Sequence, residues 1–199
     1  MPTEQPKRNR DVEPEREFAV AIRLLQSLYW SYLAKPVADR AIYRLLRQSR
    51  LQRIVEIGVG DGQRSSRMIQ LAQSRLPAGQ VVHYTGIDLF ESRPASEVGI
   101  TLKGLHRQLA PLTAQVRLHP GDAFGALSRI ANQLTQTDLL IIRAGQSDEV
   151  MQRAWHFVPR MLHAQSRVLV PGDGSGPDVP YRTLGLADVQ RMTPSRIAA

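Results

Sequence analysis

Ile54-Val55-Glu56-Ile57-Gly58-Val59-Gly60-Asp61-Gly62-Gln63 decides how this chain is read. Ile54, Val55 and Ile57 form a short β-branched run, as a strand buried on both faces needs. Glycine then recurs at 58, 60 and 62, a spacing that lets backbone approach a ligand with no Cβ in the way. From Gln63 to Ser74 the pattern turns helical, which sets the glycine turn at a helix N-terminus, where free N–H groups point outward. A dinucleotide fingerprint is G-x-G-x-x-G. Here the turn is G-x-G-x-G, with Glu56 two residues before the first glycine, so the spacing disfavours an NAD-dependent oxidoreductase. The plain alternative is a tight strand-to-helix turn with no ligand.

Downstream, strands and helices alternate. Val81 to Asp88 reads as a second strand ending in an acid, and residues 89–97 as a polar loop. A helix is expected at about 98–110, a third strand at Gln115–His119, and a helix at about 123–134 after Pro120-Gly121-Asp122-Ala123. Asp138 to Ile142 is the fourth strand, Ser147 to Ala164 is helical, and Arg167 to Val170 is the fifth strand. Pro159 should bend or shorten that last helix. The alternation predicts an α/β fold with a doubly wound, mostly parallel sheet. Right-handed crossovers then bring Glu56–Gly62, Asp88, Asp122 and the end of the fourth strand to one sheet edge. Tyr181–Leu186 and Val189–Thr193 are expected to close the sheet as a hairpin across the Gly185–Asp188 turn.

Upstream, residues 1–14 are polar, with prolines at 2, 6 and 14, and read as a disordered tail. Residues 15–49 read as two N-terminal helices. In the first, Phe18, Ala21, Ile22, Leu25, Leu28, Tyr29, Tyr32 and Leu33 share one apolar face, predicted to pack inward or on a second copy of the chain. Pro36 starts the second, at about 37–49, with Val37, Ala41, Ile42, Leu45 and Leu46 inward. Residues 50–199 form the remaining domain.

As an ordered set, E-x-G-x-G-x-G, a strand-terminal Asp88, Gly121-Asp122-Ala123 and Asp138-Leu139-Leu140-Ile141-Ile142 resemble the class I S-adenosylmethionine-dependent methyltransferases over about residues 50–170. The resemblance implies a Rossmann-like domain with S-adenosylmethionine as cofactor. It implies that Glu56, Gly58, Gly60, Gly62, Asp88, Asp122, Ala123 and Asp138 bind that cofactor. Within it, Asp88 takes the ribose hydroxyls, Asp122 the adenine amine, and Glu56 the ammonium of the methionine moiety. Asp122 also has the sequence position of a helix N-cap, and Glu56 can equally brace the glycine loop. The small-molecule branch carries a second aspartate after the fourth strand, a magnesium ligand in catechol-type members. This chain has Arg143 there, and arginine does not ligate Mg²⁺, so no metal site is carried over. The Asn/Asp-Pro-Pro-Tyr/Phe motif of amino-methylating enzymes is also missing from the sequence. Arg143 and His119 are the acceptor-side candidates, and no general base stands out.

The 199 residues carry a formal charge of +8, mostly from arginine, with lysine only at 7, 35 and 103. Four basic and five acidic residues within 1–17 leave the remainder at +9, a basic surface suited to anionic ligands or nucleic acid. Arg40, Arg44 and Arg47 form a basic stripe that carries the nucleic-acid alternative. There is no cysteine, which excludes a disulfide scaffold, a thiolate nucleophile and a Cys-ligated zinc. No run reaches the length of a membrane span and the N-terminus has no apolar signal core, so a cytoplasmic location is expected. The resemblance therefore implies methyl transfer to an O or N acceptor, with an anionic small molecule as the candidate, without a metal. The alternatives are a divergent, non-catalytic S-adenosylmethionine- or S-adenosylhomocysteine-binding protein, a nucleic-acid-binding protein and an NAD-dependent oxidoreductase.

Overall fold

The computed structural model describes residues 13–193 except 95, 97, 98, 175 and 177, with side chains from residue 21 onward. Most of the expected tail, residues 1–12, lies outside the described residues; helix starts at Glu13. The elements in chain order are α1 (Glu13–Tyr32), α2 (Asp39–Gln48), β1 (Arg53–Ile57), α3 (Gln63–Gln73), β2 (Val82–Asp88), α4 (Leu102–Leu109) and β3 (Ala114–Pro120). After them come α5 (Ala123–Ile130), β4 (Thr137–Ile142), α6 (Asp148–Ala154), β5 (Leu162–Pro171), β6 (Tyr181–Leu184) and α7 (Leu186–Met192). The sheet order is β3-β2-β1-β4-β5-β6. The first five strands are parallel, and β6 runs antiparallel to β5. No helix among the described residues is long and apolar enough to cross a membrane.

Strand alternation builds two core layers. Val55 and Ile57 of β1 face the layer formed with α5, α6 and α7, where Ala123, Leu127, Met151, Ala154 and Val189 are buried. Ile54 faces the opposite layer with Ile42, Tyr43 and Leu46 of α2 and Met68 and Ile69 of α3. Leu139, Leu140, Ile141 and Ile142 alternate between the layers in the same way, so β4 is apolar on both faces.

Five sequence expectations are corrected by the structure. The apolar face of α1 points outward: Ala21, Ile22, Leu25, Leu28, Tyr29, Tyr32 and Leu33 are exposed, and the side chain of Phe18 lies outside the described set. The inner face is Ser27, Ser31 and half-buried Trp30. Serine is tolerated there because each hydroxyl donates to its own helix, Ser27 to the Leu24 carbonyl at 2.8 Å and Ser31 to the Ser27 carbonyl at 2.7 Å. Small side chains also let the helices approach. α2 begins at Asp39 rather than residue 37, leaving Val37 exposed while Asp39, Ile42, Tyr43 and Leu46 are buried.

The helix after β4 stops at Ala154 and gives way to a 3-10 turn, Val158–Met161, with Pro159 in its first positions. Strand β5 starts at Leu162, earlier than the sequence pattern suggests. The expected closing hairpin is a strand followed by a helix. The Asp188 side chain accepts from the Gly185 N–H at 2.9 Å, which starts α7 where a second strand was expected.

Candidate functional site

The glycine turn lies at the C-terminal edge of the sheet, between β1 and α3. Gly58, Gly60 and Gly62 have φ of +84°, +71° and +78°, the left-handed region that side chains other than glycine rarely occupy. Gly58 N–H donates to the Ile87 carbonyl at 2.9 Å, and Arg143 N–H to the Ile57 carbonyl at 2.9 Å, so the turn is stitched to the ends of β2 and β4. A Cβ at Gly60 would overlap the guanidinium of Arg143, which lies across the turn. Gly62 has another role: a Cβ there would meet Leu105 of α4 at 2.6 Å, so its bareness serves helix packing.

A cavity of about 600 Å³ opens beside the turn, lined by Gly58, Gly60, Asp88, Asp122, Ala123 and Arg143 among others. Four separate chain segments supply these groups, as the topology requires. Asp88 is 9% exposed. Its Oδ2 accepts from Gly60 N–H at 3.0 Å, and its Oδ1 from Phe90 N–H at 3.4 Å and from the Arg93 guanidinium. Arg93 also lines the cavity; its position directly after the Phe90–Ser92 turn carries no sequence signal for this role. Asp122 caps α5 through Oδ1, which accepts from Gly125 N–H at 2.6 Å, and its carboxylate still borders the cavity. Apolar walls from Ile57, Ile87, Leu89 and Ala123, with two acids on the rim, suit a nucleoside with hydroxyl and amine donors.

A second cavity, about 590 Å³, lies on the other side of Arg143, which with Ala144 and Gly145 lines both. Its wall carries Lys35, Arg64, Arg67 and Arg143 against Asp39 and Asp61, with Tyr181 from β6. Asp39 is 4% exposed, and its only side-chain hydrogen bond among the described residues is a long one, from Arg64 Nη1 to Oδ1 at 3.5 Å. Burial and then the nearby Glu56 charge raise the Asp39 pKa above the ordinary carboxylate value, against the pull of Arg64. Tyr181 accepts from Arg64 Nη1 at 2.9 Å, which leaves its own O–H free to donate; burial pushes its pKa up. Neither Asp39 nor Tyr181 was singled out from sequence, since each sits in a segment with no motif.

Neither a family model nor a curated protein matches the sequence. Solved structures do. The chain is similar to CalS11, a calicheamicin methyltransferase, at 14% identity and TM-score 0.52, over 100% of this chain and 97% of that one. The fold is that of the class I methyltransferases. A TehB-like SAM-dependent methyltransferase from Corynebacterium glutamicum is 15% identical over 90% of this chain and 82% of its own, with TM-score 0.48. The Burkholderia thailandensis 1,6-didemethyltoxoflavin-N1-methyltransferase, solved with S-adenosylhomocysteine, is 14% identical over 96% and 82%, also at TM-score 0.48.

Not every residue implied by the sequence resemblance faces the cavity of this methyltransferase fold. Glu56 is 0% exposed and shares the Ile54 face of β1. Its Oε1 accepts from Arg64 Nε at 2.7 Å, and its Oε2 accepts from Ser65 Oγ at 2.6 Å and Tyr84 OH at 2.5 Å. Arg64 in turn donates to the Gly58 carbonyl at 2.8 Å, so Glu56 braces the glycine loop from behind and does not line the cavity. Asp138 is displaced further. It is the second residue of β4, at the opposite edge of the sheet, where Oδ2 accepts from Gln52 and Arg53 N–H at 2.8 and 2.7 Å and Oδ1 meets His163 Nε2 at 3.1 Å. A strand of that length holds it roughly 15 Å from the Arg143 end. His119 pairs with Ile87 across β3 and β2 and does not line either cavity; burial and the charges of Arg117 and Arg129 lower its pKa. The basic stripe on α2 is partly consumed within the protein. Arg40 Nε donates to the Ala34 carbonyl at 2.8 Å at the end of α1, and Arg47 lies over the Tyr32 ring at 5.5 Å.

Proposed function

We propose that the protein is an S-adenosylmethionine-dependent methyltransferase acting on a small anionic O or N acceptor, without a divalent metal, in the cytoplasm. The observation that carries this reading is the pair of cavities separated by Arg143 in a class I methyltransferase fold. The cavity on the Asp88 side holds the cofactor: its ribose hydroxyls donate to Asp88, its adenine amine to Asp122, and the glycine turn accommodates the methionine moiety. The cavity on the Asp39 side holds the acceptor. A guanidinium in the shared wall is permanently charged and forks onto a carboxylate or phosphate. It also repels a divalent cation, which is why the reading is metal-free. The sulfonium is an activated donor, so alignment of the acceptor with its methyl supplies much of the rate.

A second reading is favoured by one observation: Arg93 occupies the Asp88 carboxylate that a ribose would use, and the Arg143 cation crosses Gly60 beside the place of a sulfonium. That reading is a divergent protein that binds S-adenosylhomocysteine and transfers nothing. Thermal-shift measurements with S-adenosylmethionine, S-adenosylhomocysteine and NAD test both, because a ligand of the native state raises stability by mass action. Stabilisation by both adenosyl ligands but not NAD is expected, and stabilisation by NAD alone sinks both readings. Radiolabelled methyl transfer to carboxylate and phosphate compounds, in EDTA, then separates enzyme from binder. Activity abolished by EDTA, or confined to neutral acceptors, overturns the anionic, metal-free proposal.

A further inference from the structure

The outward face of α1 is the largest feature that this reading leaves unexplained. From Ile22 to Val37, eight large apolar side chains are 40–67% exposed. They occupy one side of the helix and continue through Leu33 into the turn before α2. Together they present an area on the order of the 800 Å² that one partner of a stable complex contributes. Monomers rarely leave so large a contiguous patch open. Among the described residues Arg47 reaches onto its edge at Tyr32 and leaves the rest open, and residues 1–12 bring only Met1 and Val12 as large apolar side chains.

We propose that this face is a two-fold interface with a second copy of the chain, the two α1 helices packing antiparallel. Two features of the sequence favour self-association over another partner. From Leu24 to Ala34 there is no charged residue, so identical surfaces meet without like-charge repulsion. The ends of the helix are oppositely charged: Glu13, Glu15 and Glu17 with Arg16 at the start, and Lys35, Arg40, Arg44 and Arg47 beyond the end. Antiparallel pairing sets the acidic start of each helix beside the basic end of its copy, whereas parallel pairing sets like beside like. The interface also reaches the site. Lys35, Pro36 and Ala38, two to five residues after the exposed Leu33, line the Asp39-side cavity, so the second copy borders the mouth of that cavity.

Light scattering on the eluted full-length protein should give twice the mass of one chain. The double variant Leu25→Glu/Leu33→Glu should give one chain's mass with an unchanged circular dichroism spectrum, because both side chains are outside the fold. Orientation is read from single cysteines, since the chain has none of its own. Leu28→Cys, near the middle of the patch, should oxidise to a disulfide-linked pair. Leu33→Cys should not, because its two copies lie on the order of 15 Å apart in an antiparallel pair, beyond disulfide reach. A monomeric parent overturns the proposal, as does a dimer that survives the double variant. Cross-linking at both cysteines overturns the antiparallel arrangement. A parent that is monomeric alone but co-sediments with phosphatidylglycerol vesicles assigns the face to a membrane surface instead.

Discussion

Arg64 shows how much a single side chain contributes here. It is 8% exposed and touches Glu56, Asp39, Tyr181 and the Gly58 carbonyl, linking α2, β1, the glycine turn and β6. Arg64→Leu would leave the fully buried Glu56 carboxylate without its counter-charge. Breaking a buried pair from one side costs about 3–5 kcal/mol, and denaturant unfolding should show that loss. At Asp88 the issue is competition. A ribose must share Oδ1 with Arg93, so Arg93→Ala should tighten S-adenosylhomocysteine binding. Asp88→Asn should weaken it by about 1.5–3 kcal/mol, the range for a hydrogen bond to a charged group. Calorimetry giving three equal affinities would remove the ribose from this carboxylate. Asp39 sets a pH dependence. Its folded pKa lies above its unfolded value, so between the two the native state holds the extra proton and stability falls as pH rises through that window. Asp39→Asn has no such proton. Relative to the variant, the parent should lose melting temperature as pH rises above about 4, and parallel pH–melting curves would contradict the assignment.

At the scale of elements, the first helix is the instructive case. Helical periodicity identifies its apolar face from sequence alone, but not what that face packs on. The fold turns the serine face inward, where Ser31 is 1% exposed. Ser31→Leu therefore inserts a bulky chain into a filled contact and should destabilise by about 1–3 kcal/mol, the range for overpacking, as measured by thermal melting. An unchanged or raised melting temperature would mean that the helix docks the other way round. The same limit applies to α7. Gly185 to Asp188 reads equally as a hairpin turn or a helix start, and the hydrogen bond from Gly185 N–H to the Asp188 carboxylate that decides it belongs to the folded chain, where β6 pairs with β5.

At the scale of the whole molecule, α2 belongs to the domain it precedes. Ile42, Tyr43 and Leu46 are 0% exposed in the core layer that they share with α3. Burying each such side chain is worth about 1.5–3 kcal/mol, and together they approach the 5–15 kcal/mol that separates a typical fold from its unfolded chain. A protein beginning at residue 50 should therefore lack a cooperative melt by circular dichroism, and a sharp transition would show that the Rossmann-like core stands alone.

The alternation of strands with helices, the glycine turn and the edge carrying Asp88, Asp122 and Arg143 were all legible in the sequence, because each follows from local periodicity and from the handedness of parallel crossovers. The turn of Glu56 away from the cavity was legible in principle too, since residues 54 and 56 share a strand face, as was the placing of Asp138 at the N-terminal end of β4. What only the tertiary structure decided is which charges meet. Arg93 on Asp88, Arg64 between Glu56 and Tyr181, and Arg143 across Gly60 join residues from 5 to 117 positions apart. No periodicity encodes such contacts, because they arise from the packing of whole elements rather than from the conformation of any one of them.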